Sequence, residues 1–252
     1  MAPQTARELV QLAQTNLHKL RYLNNLPDQM VSTVDTALIV EDATYPVHSF
    51  ILMSASPIFA DMVASHYAEA INGKAPAPLA IPLLGSRKKE TQSALQFIYQ
   101  HCLLSKDKTL PLDVKLEEAE CMVEFGHKWN MQLLLQAGDR MLCNQIARQC
   151  GSGPSSIFGA TLSEKAVKVI AWAVRAETMA LPKSLAFCER WLVLNFNKFA
   201  DAHTELFHLG QQSMLRVMTG LADRAGSWKS HMEPLDESSS ESDDTDEEED
   251  EE

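Results

Sequence analysis

The sequence lacks the residue patterns that mark most enzymes and metal sites. It has eight histidines and five cysteines, yet no H-E-x-x-H, no G-x-S-x-G nucleophile turn, no Walker phosphate loop and no dinucleotide fingerprint. His101-Cys102 and the His203/His208 pair come closest to metal-ligand spacing, and both are more typical of surface or packing residues. We therefore expect no enzyme activity, no catalytic residues, no metal ion and no cofactor.

The cysteines also show no sign of a disulfide framework. Their number is odd, they are widely spaced, and none forms a C-x-x-C pair. No secretory signal opens the sequence, and no apolar run approaches the about 20 residues that a membrane-spanning helix needs. These features predict a soluble protein of a reducing compartment, cytoplasmic and/or nuclear, with no membrane partner.

Positive charge is scarce, and the excess of negative charge is confined to one segment. The net charge is -12, but residues 233–252 alone contain 13 acids and no Lys or Arg. Residues 1–232 hold 21 acids against 22 bases, so the body is almost neutral. One basic triplet, Arg87-Lys88-Lys89, is too short to indicate nucleic-acid binding.

The acidic segment, EPLDESSSESDDTDEEEDEE, has no hydrophobic period and cannot bury enough apolar surface to fold. We predict a disordered tail over residues 229–252. Its role stays open between a solubilising appendage and a docking segment for basic partners. Ser238, Ser240 and Thr245 each precede an acid by three residues, as in sites of acidophilic kinases, and are possible phosphorylation sites.

The first half of the sequence predicts a helix, a hairpin and two further helices. Residues 5–24 place leucines at helical spacing, followed by Pro27, so residues 1–30 form an N-terminal helix and linker. In residues 35–59, DTALIVEDATYPVHSFILMSASPIF, two short strands lead into an apolar helix that Ser56-Pro57 interrupts. Ser56 suits the N-cap of the next helix and Pro57 its first position. The face of the N-terminal helix consists of Leu9, Leu12, Ala13, Leu17, Leu20 and Leu23.

The rest of the chain is mainly helical. Residues 79–84, LAIPLL, predict a short strand, in which Pro82 indicates either a sheet edge or the end of the strand. Residues 88–147 predict three amphipathic helices. The run GSGPSS at 151–156 is a flexible break, after which Thr161 and Glu164 resemble a capping box. The later helices show apolar stripes at 167, 170, 171 and 174, at 185, 188, 192 and 196, and at 214, 217, 218 and 221.

Asp35, His48, the S-x-S-P-x-F punctuation of residues 54–59 and the helices of residues 88–147 together resemble a BTB/POZ domain. The resemblance covers residues 31–150 and implies an α+β fold, a small sheet capped by helices. A linker (151–160), an all-α region that resembles a BACK extension (161–228) and the acidic tail would follow.

BTB/POZ domains are protein–protein interaction modules, so the resemblance implies a homodimer. In such domains Asp35 and His48 are structural residues near the dimer interface. The N-terminal helix, with Leu12 and Leu20, would pack either across that interface or on its own domain, and both arrangements stay open.

Some members of this family are substrate adaptors of cullin-3 ubiquitin ligases and carry a φ-x-E pattern just past the helix that follows S-P-x-F. Tyr67-Ala68-Glu69 stands in that register. The resemblance therefore implies that a cullin-3 type scaffold protein binds Tyr67 and Glu69, while the substrate protein is unknown. The alternative is a homodimeric scaffold outside any ligase, whose acidic tail binds basic partners.

Overall fold

The computed structural model describes residues 5–20, 22–24, 26–71, 78–103, 114–151 and 161–230. Within these ranges the chain has an α+β fold, with a three-stranded sheet near its beginning and helices after it. The predicted linker at 151–160 and the predicted tail at 229–252 lie outside the described residues, except for Gly151, Lys229 and Ser230.

The N-terminal helix is shorter than the sequence pattern predicts. α1 spans Ala6–Thr15 and is capped by the Thr5 hydroxyl, which accepts the backbone N–H of Glu8 at 3.2 Å. Its C-cap is Asn16, whose side-chain amide donates to the carbonyl of Leu12 at 3.1 Å. The prediction of one helix over 5–24 is therefore wrong. Turns follow, and then the short helix α2 (Asp28–Val31).

The sheet has the strand order β2-β1-β3. β1 (Thr36–Val40) lies in the centre, antiparallel to β2 (Ala43–Val47) and parallel to β3 (Leu79–Pro82). The β1–β2 turn uses Glu41 at a φ of 54°. The predicted edge position of Pro82 is confirmed, since β3 is an outer strand and Pro82 is its last residue.

Five helices complete the first half. α3 (Ser49–Ala55) and α4 (Pro57–Ile71) follow the hairpin, and α5 (Lys88–Leu103) follows β3. α6 (Leu116–Lys128) and α7 (Gln132–Cys150) then form an antiparallel pair. Their close approach depends on Gly138, because a Cβ there would lie 2.6 Å from Cγ2 of Val123.

The second half is helical, as predicted. α8 (Leu162–Thr178) starts with the predicted capping box, in which Thr161 and Glu164 exchange hydrogen bonds. α9 (Pro182–Asn195) follows, then 3₁₀ segments at Phe196–Lys198 and Ala200–His208, and α10 (Gln211–Ser230). The core is continuous between the halves, through residues of α7 and α9.

Two of the predicted apolar stripes are partly wrong. In α8, Val167 and Ala171 are exposed, and the buried face lies one position away. In α10, Val217 is buried whereas Met218 is exposed. The α9 stripe is confirmed, with Cys188 and Leu192 fully buried. The buried face of α8 consists of Ala166, Val169, Ile170, Ala173 and Ala176.

Candidate functional site

The described residues offer exposed surfaces to which another molecule can bind. They contain no group of three or more His, Cys, Asp or Glu side chains that could hold a metal ion. Burial raises the pKa of Cys150 to about 11 and raises the pKa of Cys188 further, which disfavours the nucleophilic thiolate. Among the described helices, none has the length and apolarity needed to cross a bilayer.

The best-defined exposed surface lies on α4, whose first residues contact the C-terminal end of α6. The predicted N-cap is confirmed: the Ser56 hydroxyl accepts the N–H of Phe59 at 3.3 Å and donates to the carbonyl of Trp129 at 2.6 Å. The rings of Phe59 and Trp129 stack with centroids 5.0 Å apart. Because both its cap and its first core side chain are fixed, α4 presents its outer residues in one orientation.

Tyr67 stands where the buried stripe of α4 runs beyond the core. Phe59, Val63 and Tyr67 follow one another at intervals of four residues and so share a face of the helix. Phe59 and Val63 are completely buried, whereas Tyr67 keeps 47 % of its surface exposed. Its ring meets that of His66 edge to face at a centroid distance of 5.8 Å. Tyr67 is therefore an aromatic side chain supported on one side and open on the other.

Glu69 is exposed near the end of α4. The expectation that Tyr67-Ala68-Glu69 follows the helix is wrong, because α4 continues to Ile71 and includes both residues. A carboxylate near a helix C-terminus opposes the helix dipole by about 0.3–1 kcal/mol. α4 contains no Lys or Arg to offset it. Glu69 thus does not serve the stability of its own helix, and its carboxylate faces solvent.

A second exposed surface lies on α3, and the sequence analysis did not identify it. Phe50 and Met53 expose 54 % and 41 % of their surfaces, while Ile51 and Leu52 between them are completely buried. The signal was present in the apolar run of α3, since a helix can turn only part of four consecutive apolar residues towards one core. Phe50 and Met53, three positions apart, form an apolar patch beside α4.

His48 and Asp35 are structural, and each is fully used inside the chain. The His48 ring is buried and joins the Met30 carbonyl through Nε2 (2.8 Å) and the Tyr99 hydroxyl through Nδ1 (2.9 Å). Asp35 accepts the N–H of Ser49 at 2.7 Å and its hydroxyl at 2.5 Å, and so caps α3. Their position at a dimer interface stays a prediction.

The other predicted site residues are placed as follows. Leu20 is buried in the core of its own chain, and Leu12 is half-buried. α1 packs on its own β2 through Leu9 and Ala13, which are completely buried. The possible phosphorylation sites Ser238, Ser240 and Thr245 lie outside the described residues.

Two carboxylates that the sequence analysis did not single out as functional join helices. Asp139 of α7 accepts the N–H groups of Lys183 and Ser184 at 2.9 Å each, at the start of α9. Glu177 of α8 accepts the N–H of Gly210 at 3.0 Å, just before α10. A possible signal for Asp139 was its position in an otherwise apolar stripe, where a buried acid needs donors.

The comparison with protein families gives one match. The BTB/POZ domain family matches residues 23–153, a range that includes the sheet and helices α3 to α7. No curated protein matches the chain.

Proposed function

Since the chain belongs to the BTB/POZ domain family, whose members are protein–protein interaction modules, we propose that it is a substrate adaptor of a cullin-3 ubiquitin ligase. In this proposal α4 binds the cullin scaffold, and another surface holds the protein to be ubiquitinated. The chain itself carries out no chemical step. It brings a substrate close to a ubiquitin-conjugating enzyme.

The observation that carries the proposal is that Tyr67 and Glu69 are both exposed near the C-terminal end of α4, a helix whose start is fixed. Tyr67 offers a half-exposed ring and Glu69 an exposed carboxylate. Aromatic side chains that fill a partner's pocket dominate the binding energy of many interfaces, and oriented charges beside them add specificity. An acid that does not stabilise its own helix fits such a role in binding.

Helices α8 to α10 support the proposal as a second, rigid surface. The resemblance to a BACK extension concerns these helices, which would hold the substrate or widen the cullin contact. Asp139 ties the start of α9 to α7. Arg175 of α8 pairs with Glu120 at 2.9 Å and also with Glu124, both on α6. With these links a protein bound by the second half would be held at a fixed orientation to α4.

The α3 patch supports self-association. Phe50 and Met53 are large, apolar and exposed on adjacent turns. A two-fold interface places the same patch of two subunits face to face, so the two copies of a small patch cover each other. We therefore keep a homodimer as part of the proposed function, with α3 near the two-fold axis.

Binding to the N-terminal domain of cullin-3 tests the adaptor role. Calorimetry should compare the unchanged chain with Tyr67→Ala, Glu69→Lys and the control Asp223→Lys, an exposed acid of α10. We expect Tyr67→Ala and Glu69→Lys each to weaken binding at least about tenfold, as interface hot spots do. Asp223→Lys makes the same change in charge as Glu69→Lys and should bind normally. Equal affinity of all four chains, or no binding by the unchanged chain, would refute the cullin contact.

The mass of the particle in solution tests self-association separately. The double variant Phe50→Glu/Met53→Glu should be monomeric by light scattering at concentrations where the unchanged chain is a dimer. Since both side chains are largely exposed, the monomer should keep its helical circular dichroism. If the double variant is still a dimer, the two-fold interface does not lie on α3. That result would not affect the adaptor proposal.

A further inference from the structure

An apolar cleft lies where α10 runs past the end of α9. It has a volume of about 390 Å³ and is lined by Val193, Phe196, Asn197, Leu221, Arg224 and Ala225. The two helices run in the same direction, because Arg216 pairs with Glu189 and, two turns later, Arg224 donates to the carbonyls of Val193 and Leu194 at 2.9 Å. α9 ends at Asn195 while α10 continues to Ser230, so the end of α10 extends beyond α9.

We propose that residues 231–237 of the same chain, HMEPLDE, fold back and cover this cleft. Met232 and Leu235 would lie on the apolar walls, and Glu233 and Asp236 would lie near Arg224. This proposal is independent of the cullin contact, because it concerns the other end of the molecule.

The composition of the segment selects these seven residues. Residues 238–252 contain only Ser, Thr, Asp and Glu, so they have nothing to place in an apolar cleft. Met232 and Leu235, in contrast, are separated by two residues and stand directly after α10. Met232 and Leu235 match the apolar walls of the cleft, and the acids beside them match its cation, Arg224.

The length of chain after α10 is sufficient for the return. The cleft lies level with Ala225, five residues before the end of α10, which is about 8 Å along the helix axis. Leu235 follows Ser230 by five residues, which reach about 16 Å when extended. A contact made through so short a connection benefits from a high effective concentration, on the order of millimolar.

The charge around the cleft favours the same occupant. Residues 161–230 contain nine Lys and Arg against six Asp and Glu, so this half is basic. Arg224 is exposed in the cleft wall, and the exposed Lys198 follows Asn197 directly. In the sequence, the strongly acidic segment nearest to the cleft is the one that follows α10. Opposite charges this close attract each other even when salt partly screens them.

Amide hydrogen exchange tests the proposal on three proteins: the full chain, the full chain with Met232→Ser and Leu235→Ser, and a chain shortened after Glu237. We expect amides of residues 193–197 and 221–225 to exchange several-fold faster in the double variant than in the full chain. The shortened chain should behave like the full chain. The central strand β1 should exchange equally in all three proteins, which controls for global unfolding.

Two results would overturn the proposal. Equal exchange at the cleft in all three proteins would mean that the segment does not cover it. Faster exchange in the shortened chain alone would assign the cover to residues 238–252 instead. The measurement is repeated after dilution, where protection should persist because the occupant belongs to the same chain. Protection that falls on dilution would assign the cleft to a second copy and would also refute the proposal.

Discussion

At the scale of single residues, His48 shows how one buried polar side chain satisfies several partners. Its Nε2 faces the Met30 carbonyl oxygen and so donates a hydrogen bond, while Nδ1 lies 2.9 Å from the Tyr99 hydroxyl. The same hydroxyl accepts the backbone N–H of His48 at 2.9 Å. The imidazole therefore joins the α2 region, the end of the hairpin and α5. A catalytic interpretation fails because both ring nitrogens are already engaged.

Replacing His48 by leucine should destabilise the protein strongly. The change removes two hydrogen bonds of the imidazole, one to the Met30 carbonyl and one to the Tyr99 hydroxyl, each of which contributes about 0.5–1.5 kcal/mol. Urea unfolding followed by circular dichroism should show a loss of about 1–3 kcal/mol. His18→Leu, on an exposed residue, is the matched control and should change stability little. A similar small effect at both positions would contradict the assigned hydrogen bonds.

At the scale of elements, the antiparallel pair of α6 and α7 depends on the absence of a side chain. Gly138 is buried, and a Cβ placed on it would lie 2.6 Å from the Val123 side chain and 3.3 Å from the Val123 nitrogen. Real side chains do not approach so closely, so even alanine must push the two helices apart. At this point the distance between α6 and α7 is thus set by a glycine facing a valine.

Gly138→Ala should therefore destabilise the chain by about 1–3 kcal/mol through overpacking. The gain in helix propensity from glycine to alanine, about 1 kcal/mol, works in the opposite direction. Removing the opposing methyl groups with Val123→Ala should recover part of the loss in the double variant. A double-mutant cycle by urea unfolding measures this coupling. Strictly additive effects would show that the two residues do not meet.

The elements that the sequence predicts well are those decided by neighbouring residues. Ser56 and Pro57 fix the break between α3 and α4 locally, and Thr161 and Glu164 fix the start of α8. The buried face of α8 could not be predicted, because the helix is apolar on two faces and the packing against α9 and the Ala200–His208 segment selects one. Thr15 could not be recognised as the end of α1, since the leucines continue at helical spacing and become buried through turns.

The residues of the candidate site also fall into those that the sequence predicts and those that it does not. The exposure of Tyr67 and Glu69 follows from counting along a helix, although both lie within α4 and not just past its end. The exposure of Phe50 and Met53 depends on which face of α3 the sheet covers. The role of Asp139 depends on backbone groups 44 and 45 residues away, a distance over which one sequence carries no signal.

At the scale of the whole molecule, the two halves are joined by buried polar contacts as well as by a common core. Asp139 is buried, and its two carboxylate oxygens cap α9, while its own carbonyl accepts the Ser184 hydroxyl at 3.2 Å. On another side, Arg175 reaches from α8 to α6, where Glu124 also pairs with Arg87. The halves should therefore unfold together.

Asp139→Ala tests this coupling. The variant leaves the N–H groups of Lys183 and Ser184 without an acceptor, which we expect to cost about 2–3 kcal/mol. Hydrogen exchange should also become faster at the start of α9, before any change is seen in β1. Asp61→Ala, on an exposed acid of α4, is the control. Unchanged exchange at residues 182–186 would show that α9 does not depend on this cap.

The Asp139 cap also bears on where the protein can be divided. The family match ends at residue 153, and a fragment cut there for crystallisation or fusion would keep this acid while losing both of its donors. The last helix of such a fragment would expose the apolar surface that α9 covers, and this exposure would promote aggregation. Expression with a boundary after α10 keeps acid and donors together. The range matched by the family is thus smaller than the part of the chain that shares one core.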